Sequence, residues 1–187
     1  DMLKCLELAL LSPNSSNLQP WEFYWVKDPV KKSKLVDYCL GQPAAQTAQE
    51  LVVCVARPDT WYINNQTMLN MFKTKNQELP KAVSTYYKKL VPIMYNQGFL
   101  GILGLIKKIS VFFIGIKRSI PREPTSFNDM KIWAQKSTAL ACQTLMLSFR
   151  AFGYDSCPME GIDSFRIKKL LKLPKKAQIC MVISAGK

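Results

Sequence analysis

Residues 139–161 read ALACQTLMLSFRAFGYDSCPMEG, and their reading decides the fold. The first fourteen are apolar on almost every side of a helical wheel, the pattern of a helix buried on most of its surface. Upstream, Ser126 is a plausible N-cap, so this helix runs from about 126 to 152 as the spine of the molecule. Gly153 is the expected residue just past its end. The stretch from Tyr154 through Gly161 then connects the spine to a second, short amphipathic helix over 163–173 that Asp163 caps and Pro174 closes.

Outward from the spine, three short runs read as strands. Glu22 to Val26 (EFYWV) is rich in aromatics, Leu51 to Ala56 (LVVCVA) is continuously apolar with three valines, and Gln178 to Ser184 (QICMVIS) lies near the end of the sequence. The LVVCVA run has the length and branching of a strand buried on both faces. A helix over Leu3–Leu11 stops at Ser12-Pro13, and another runs from Asp28-Pro29 to about Leu40. Pro80 opens a further helix through Asn96. Long helices, few strands and one buried spine make a single α+β domain over residues 1–187.

Composition removes much chemistry. The 187 residues contain no histidine. That excludes a Ser-His-Asp triad, a Cys-His pair, a His-ligated zinc and an imidazole base. Six cysteines form no C-x-x-C pair, and no metal site is expected. They read as structural thiols of a reduced, cytoplasmic protein. No secretory signal opens the sequence as it stands. The net charge of +13 favours anionic partners, although its lysines come in scattered twos and threes, as on solvated helix faces. No zinc finger, base-reading helix or aromatic-basic RNA signature accompanies the charge, so no nucleic acid is expected.

Residues 61–124 are the least regular part. Within them Phe99 to Ile116, FLGILGLIKKISVFFIGI, has the length of a membrane span, but Lys107-Lys108 sits at its centre. Each lysine there costs ~2.5–3.5 kcal/mol on an insertion scale. The readings that remain are a cover over an apolar site and a helix lying on a membrane surface across 99–118, beside the span itself.

Two polar segments carry the functional information. Ser12 to Trp21 (SPNSSNLQPW) crowds amides and hydroxyls into a turn. It suits either a helix-capping turn or the carbonyls and ring nitrogens of a heterocycle. Gly153 to Gly161 (GYDSCPMEG) offers an apolar edge at Pro158 and Met159, then free backbone N–H groups near a helix start. Glu160 is there either a general acid or a charge complementing the helix dipole.

In this order the segments SPNSSNLQPWEF, LVVCVA after GQPAAQTAQE, ALACQTLML, GYDSCPMEG and VISAG resemble the FMN-dependent nitroreductase family. They run along the whole chain outside 61–124, where the family varies. The resemblance implies a mostly antiparallel central sheet flanked by helices, and an intertwined homodimer with FMN at two interface sites. It further implies NAD(P)H as hydride donor and a small conjugated electron acceptor such as a nitroaromatic or quinone. Asn14, Ser15 and Asn17 match the polar turn that meets FMN, often from the partner subunit. Gln42 lies near a position whose amide meets the flavin's pyrimidine edge. Pro158 and Met159 match the pair packed on the ring, and Glu160 and Gly161 match residues whose N–H groups face flavin N5 and O4. No residue is expected to be catalytic in its own right, because the flavin performs the chemistry. Residues 61–124 are expected to form a variable lid. The resemblance also leads to the expectation that phosphate-binding segments before Asp1 and after Lys187 belong to a longer protein. Other flavin-dependent activities on this scaffold, such as a dehydrogenase or dehalogenase, and a basic module on an anionic membrane or nucleic acid are the alternatives.

Overall fold

The computed structural model describes residues 1–74 and 80–187. It divides into two compact units, one of residues 1–59 with 134–187 and one of residues 60–133. The first unit holds α1 (Met2–Ala9), β1 (Trp21–Trp25), α2 (Pro29–Tyr38), α3 (Pro43–Gln46) and β2 (Glu50–Ala56). The second holds α4 (Trp61–Thr74), α5 (Lys81–Thr85), α6 (Val91–Tyr95) and α7 (Ile102–Lys117). Helix α8 (Phe127–Ala151) leads from the second unit back to the first, where β3 (Asp155–Met159), α9 (Ser164–Leu170) and β4 (Gln178–Gly186) complete the chain.

The first unit is built on one four-stranded sheet in the order β1-β2-β4-β3, antiparallel at every pairing. This is the α+β architecture that the sequence predicts. Strand β2 shows why the sheet is covered on both sides. Its side chains alternate, so Leu51, Val53 and Val55 enter a core with Leu35, Ala45 and Ile167 from α2, α3 and α9. Val52 and Cys54 enter a second core with Cys5 and Ala9 of α1 and Cys142, Leu145 and Phe149 of α8. Every residue from Leu51 to Ala56 is fully buried, and each such Val or Leu side chain contributes about 1.5–3 kcal/mol.

Helix α8 begins as its sequence predicts: Ser126 Oγ accepts from the Asp129 N–H at 3.1 Å. Asp129 reciprocates toward the residue before the cap, accepting from the Thr125 N–H at 2.8 Å. Burial raises the Asp129 carboxyl, but these bonds win and hold it below the usual carboxylate range. The far end is a Schellman turn. Tyr154 N–H bonds Phe149 O at 2.9 Å and Gly153 N–H bonds Arg150 O at 3.0 Å, with Gly153 at φ +78°.

Several expectations change. The spine helix is not buried all round: Ala134, Ala141, Cys142, Leu145 and Phe149 form one buried stripe, while Ile132, Leu140 and Leu147 are about half exposed or more. Residues 155–159, read from the sequence only as a connection between two helices, form an edge strand. Pro158 hides this from the sequence, yet proline is tolerated where one side of the strand has no neighbour. Lys107 is not on a solvated face, since its Nζ donates to Met94 O at 2.7 Å and Pro124 O at 3.2 Å. The helix expected from Pro80 is present with Pro80 as N-cap, but a wide π turn at Tyr86–Leu90 separates α5 from α6. Residues 60–133, which include 61–124, form a compact unit of their own.

Candidate functional site

The first group of candidate residues sits after α1. Ser12 Oγ donates to Thr144 Oγ1 at 2.7 Å, tying the chain to α8 just before it turns. Asn14 then organises the turn. Its Oδ1 accepts from the Gln19 N–H at 2.7 Å and its Nδ2 donates to Ser12 O at 3.3 Å. Gln19 Nε2 closes the far side on Leu10 O at 3.1 Å. Between them Ser15–Asn17 forms a 3-10 turn, and Ser16, Asn17 and Gln19 all take positive φ. Left-handed backbone at three non-glycine residues within four positions stores strain, and such strain gathers at binding sites.

The second group lies at the edge of the sheet. Strand β3 ends at Met159, and antiparallel register sets Pro158 opposite Ile183 and Met159 opposite Val182. The alternation along β3 turns Met159 into the core at 1% exposure and leaves Pro158 on the outside. Of the pair matched to a ring-packing role, Pro158 therefore supplies the accessible surface. Beyond β3, Ile162 N–H bonds Glu160 O at 2.9 Å and Asp163 N–H bonds Tyr38 O at 2.7 Å. Asp163 caps α9 by accepting from the Arg166 N–H at 3.0 Å. The N–H groups of Glu160 and Gly161 stand between these anchors, exposed, and neither has a protein partner among the described residues.

Gln42 joins this second group. It precedes α3, and its Nε2 donates both to Cys39 O and to Gly161 O, each at 2.9 Å. The side-chain amide thus fixes the height of the Glu160–Gly161 turn against the end of α2. Gly161 itself has no left-handed φ, and a Cβ built there would meet only Gln42 Nε2, at an ordinary 3.8 Å. The fold alone does not demand glycine here.

The structure therefore ties Gln42 to the Glu160–Gly161 turn that follows Pro158 and the buried Met159, and holds Asn14, Ser15 and Asn17 in a separately bonded turn. The carbonyls of Tyr38 and Cys39, which position the loop, have no signal in the sequence, since the contact depends on the packing of α2 against α9. A cavity of about 320 Å³ lies nearby on the first unit, lined by Thr47, Asp155, Ser156, Cys157, Ser184 and Lys187 among others. None of the candidate residues lines it. No group of histidine, cysteine or acidic side chains able to hold a metal is found among the described residues.

Comparison with known proteins places this architecture. Protein DrgA of Synechocystis is 27% identical over 184 residues, covering 98% of this chain and 71% of that protein. An NADH dehydrogenase of Thermus thermophilus is 26% identical over 183 residues, covering 97% of this chain and 72% of its own length. Among solved structures, a protein of Exiguobacterium sibiricum in complex with FMN superposes with a TM-score of 0.67 at 22% identity, over all of this chain and 76% of that one. That likeness concerns the fold. The model of the Nitroreductase family matches residues 1–187, so the polar turn, the two-sided sheet and the Pro158–Gly161 edge all fall within one match, and the chain belongs to the nitroreductase family of oxidoreductases.

Proposed function

We propose that this protein is an FMN-dependent oxidoreductase that draws reducing equivalents from NAD(P)H. The observation that carries the reading is the pair of exposed, unpartnered N–H groups at Glu160 and Gly161, fixed by the Gln42–Gly161 bond. Two adjacent fixed donors fit the electron-rich edge of an isoalloxazine ring, which presents a ring nitrogen beside a carbonyl oxygen. When bound, FMN supplies the redox chemistry, in which hydride from NAD(P)H is passed on to a nitroaromatic, quinone or other conjugated acceptor.

The chain's own residues bind and orient. Glu160 and Gly161 offer hydrogen bonds that strengthen as negative charge builds up on the atoms they face. Pro158 offers a flat apolar surface beside them. The missing side chain at Gly161 keeps the approach to its N–H clear. Gln42 holds the donors in place, and its Oε1 remains an acceptor for a ring N–H. Asn14, Ser15 and Asn17 supply polar groups for the rest of the cofactor, contributed in the assembled protein by a second copy of the chain. A homodimer is supported by the half-exposed Leu140 and Leu147 on α8 and by Leu3, Leu10 and Leu11 in and just after α1, which lie open in the single chain.

The test is an absorbance spectrum of the purified full-length protein after incubation with FMN and gel filtration. Flavin bands that co-elute with protein and bleach on adding NADPH or NADH under nitrogen are expected. Protein that elutes without flavin at any loading concentration would refute the reading.

A further inference from the structure

Helix α7 is mounted the wrong way round for a helix of a water-soluble unit. Its inward side carries Gly104, Lys107 and Gly115 beside the half-buried Val111 and Ile114. A Cβ on Gly104 would lie 2.4 Å from Thr125 O and 2.5 Å from Gln97 Oε1, so only glycine allows this approach. Gly115 lies against Arg122, whose guanidinium donates to Gly115 O at 3.2 Å and to Val111 O at 3.4 Å. Lys107 reaches inward to two carbonyls. These three attachments, spread over three turns, fix the helix about its own axis within residues 60–133.

The outward side is apolar throughout. Leu105, Ile106, Ile109, Phe112, Phe113 and Ile116 fall on one face at helical spacing, and each is more than half exposed. Phe99 and Leu100, just before the helix, extend the patch at 81% and 79% exposure. Water-soluble proteins rarely leave so continuous an apolar surface open. Only 6% of the apolar window across 99–117 is buried within the structure, unlike the core helix of a soluble protein.

Charge identifies what covers it. Residues 60–133 contain eleven Lys and Arg against three Asp and Glu, a net +8 of the chain's +13 in well under half its length. Lys108, Lys117 and Arg118 are exposed beside the apolar face, and Lys88 and Lys89 are exposed elsewhere on the same unit. An apolar face flanked by cations matches a bilayer interface carrying anionic headgroups, where acyl chains take the apolar side chains and phosphates meet the lysines. A protein partner would need acidic groups around an apolar groove to match as well. Spanning is disfavoured, since sixteen helical residues reach ~24 Å against a hydrocarbon core of ~30 Å. The inward tie of Lys107 also holds α7 on its own unit.

We propose that the outer face of α7, with Phe99 and Leu100, is a membrane-docking surface selective for anionic lipid, on which the helix lies in the plane of the interface. The proposal does not depend on the redox reading. The full-length protein is sedimented with vesicles of phosphatidylcholine alone and of phosphatidylcholine with about one-quarter phosphatidylglycerol. At low salt the bound fraction is expected to be at least about tenfold higher on the anionic vesicles, falling as salt screens the attraction. The double variant Ile109→Gln/Phe113→Gln alters only outward side chains and should keep the helical circular dichroism and thermal midpoint while losing about tenfold in partitioning. Lys108→Glu/Lys117→Glu should abolish the preference for anionic vesicles. Equal recovery with both vesicle types, no recovery with either, or undiminished binding by the glutamine variant overturns the proposal. So does a salt-resistant dimer, seen by light scattering without vesicles, that the glutamine variant dissolves, because a second copy would then own the face.

Discussion

Gln42 and Gly161 lie 119 positions apart in the chain, and the Gln42 side-chain amide donates to the Gly161 carbonyl at 2.9 Å. The same nitrogen holds Cys39 O, so one side chain clamps the end of α2 to the turn after β3. The clamp acts on the peptide next to the two open N–H groups. Any looseness there moves both donors together.

The clamp predicts a separation between binding and stability. Gln42→Ala removes a half-buried hydrogen-bonding side chain, costing about 0.5–1.5 kcal/mol of stability. Positioning suffers more, because the Glu160–Gly161 turn keeps Asp163 N–H on Tyr38 O as its remaining tie to α2. FMN affinity, read by fluorescence quenching, should fall about 10-fold or more, while the thermal midpoint shifts by a few degrees at most. Gln42→Glu should do worse than Gln42→Ala, since a carboxylate repels both carbonyls that the amide now serves.

Legibility in the sequence depends on whether the controlling contact is local. The spine helix announces both its ends, because Ser126 and Gly153 act on backbone within a few residues. The burial of β2 is also plain from Leu51–Ala56, since six consecutive apolar residues leave no wet face. Strand β3 is not legible. Its pairing with β4 is non-local, and Pro158 masks a strand that lies at the sheet's edge. The site divides in the same way. Asn14 bonds within its own turn, as amide-rich turns do, whereas Gln42 reaches Gly161 only because α2 and α9 pack on the same face of the sheet. Lys107 misleads because charge predicts exposure, and here two carbonyls from distant positions receive it.

Part of the acid sensitivity should lie just past the end of β2, apart from that at Asp129. Arg57 grips Asp59 with two bonds, Nε to Oδ1 at 3.0 Å and Nη2 to Oδ2 at 3.1 Å, and also pairs with Glu22. Burial raises the Asp59 carboxyl, but the Arg57 bonds and charge and a backbone donor outweigh it and hold the group below its ordinary value. A depressed folded value means that the unfolded chain takes up protons first. The stabilisation is thus complete above about pH 4, the unfolded value, and disappears as pH falls through the folded one. Asp59→Asn should cost about 1–3 kcal/mol at pH 7 in urea unfolding, and the difference from wild type should shrink as the titration is carried to about pH 3.

The thiols should sort by position. Cys157 is exposed on β3, whereas Cys5, Cys39, Cys54 and Cys142 are buried. Burial pushes the Cys39 thiol up to about 11. Cys180 is half-buried, and a thiol hydrogen bond with Cys142 and then burial push it up as well. Since the thiolate is the reactive form, a native-state titration with an aromatic disulfide reagent at about pH 8 should show one fast thiol. Cys157→Ser should remove that phase alone, with the remaining thiols appearing only as the protein unfolds. A fast phase that survives Cys157→Ser would contradict the burial pattern.

The mounting of α7 gives a stability prediction that involves neither cofactor nor lipid. A methyl group at Gly104 would fall 2.4 Å from the Thr125 carbonyl and 2.5 Å from Gln97 Oε1. Gln97 is buried and can swing, but Thr125 O is backbone, held beside the Ser126–Asp129 cap of α8. The contact cannot relax without sliding α7 or loosening that cap. Gly104→Ala would normally favour a helix by ~1 kcal/mol. Here overpacking against backbone should reverse the sign and cost about 1–3 kcal/mol. Gly101→Ala is an imperfect control, because Gly101 has positive φ and would add strain of its own. The better comparison is Ser110→Ala, exposed on the same helix, which should leave stability within ~0.5 kcal/mol. Urea unfolding of the two variants side by side checks the sign: a stabilised Gly104→Ala protein would mean that α7 does not approach the 122–126 segment as closely as described.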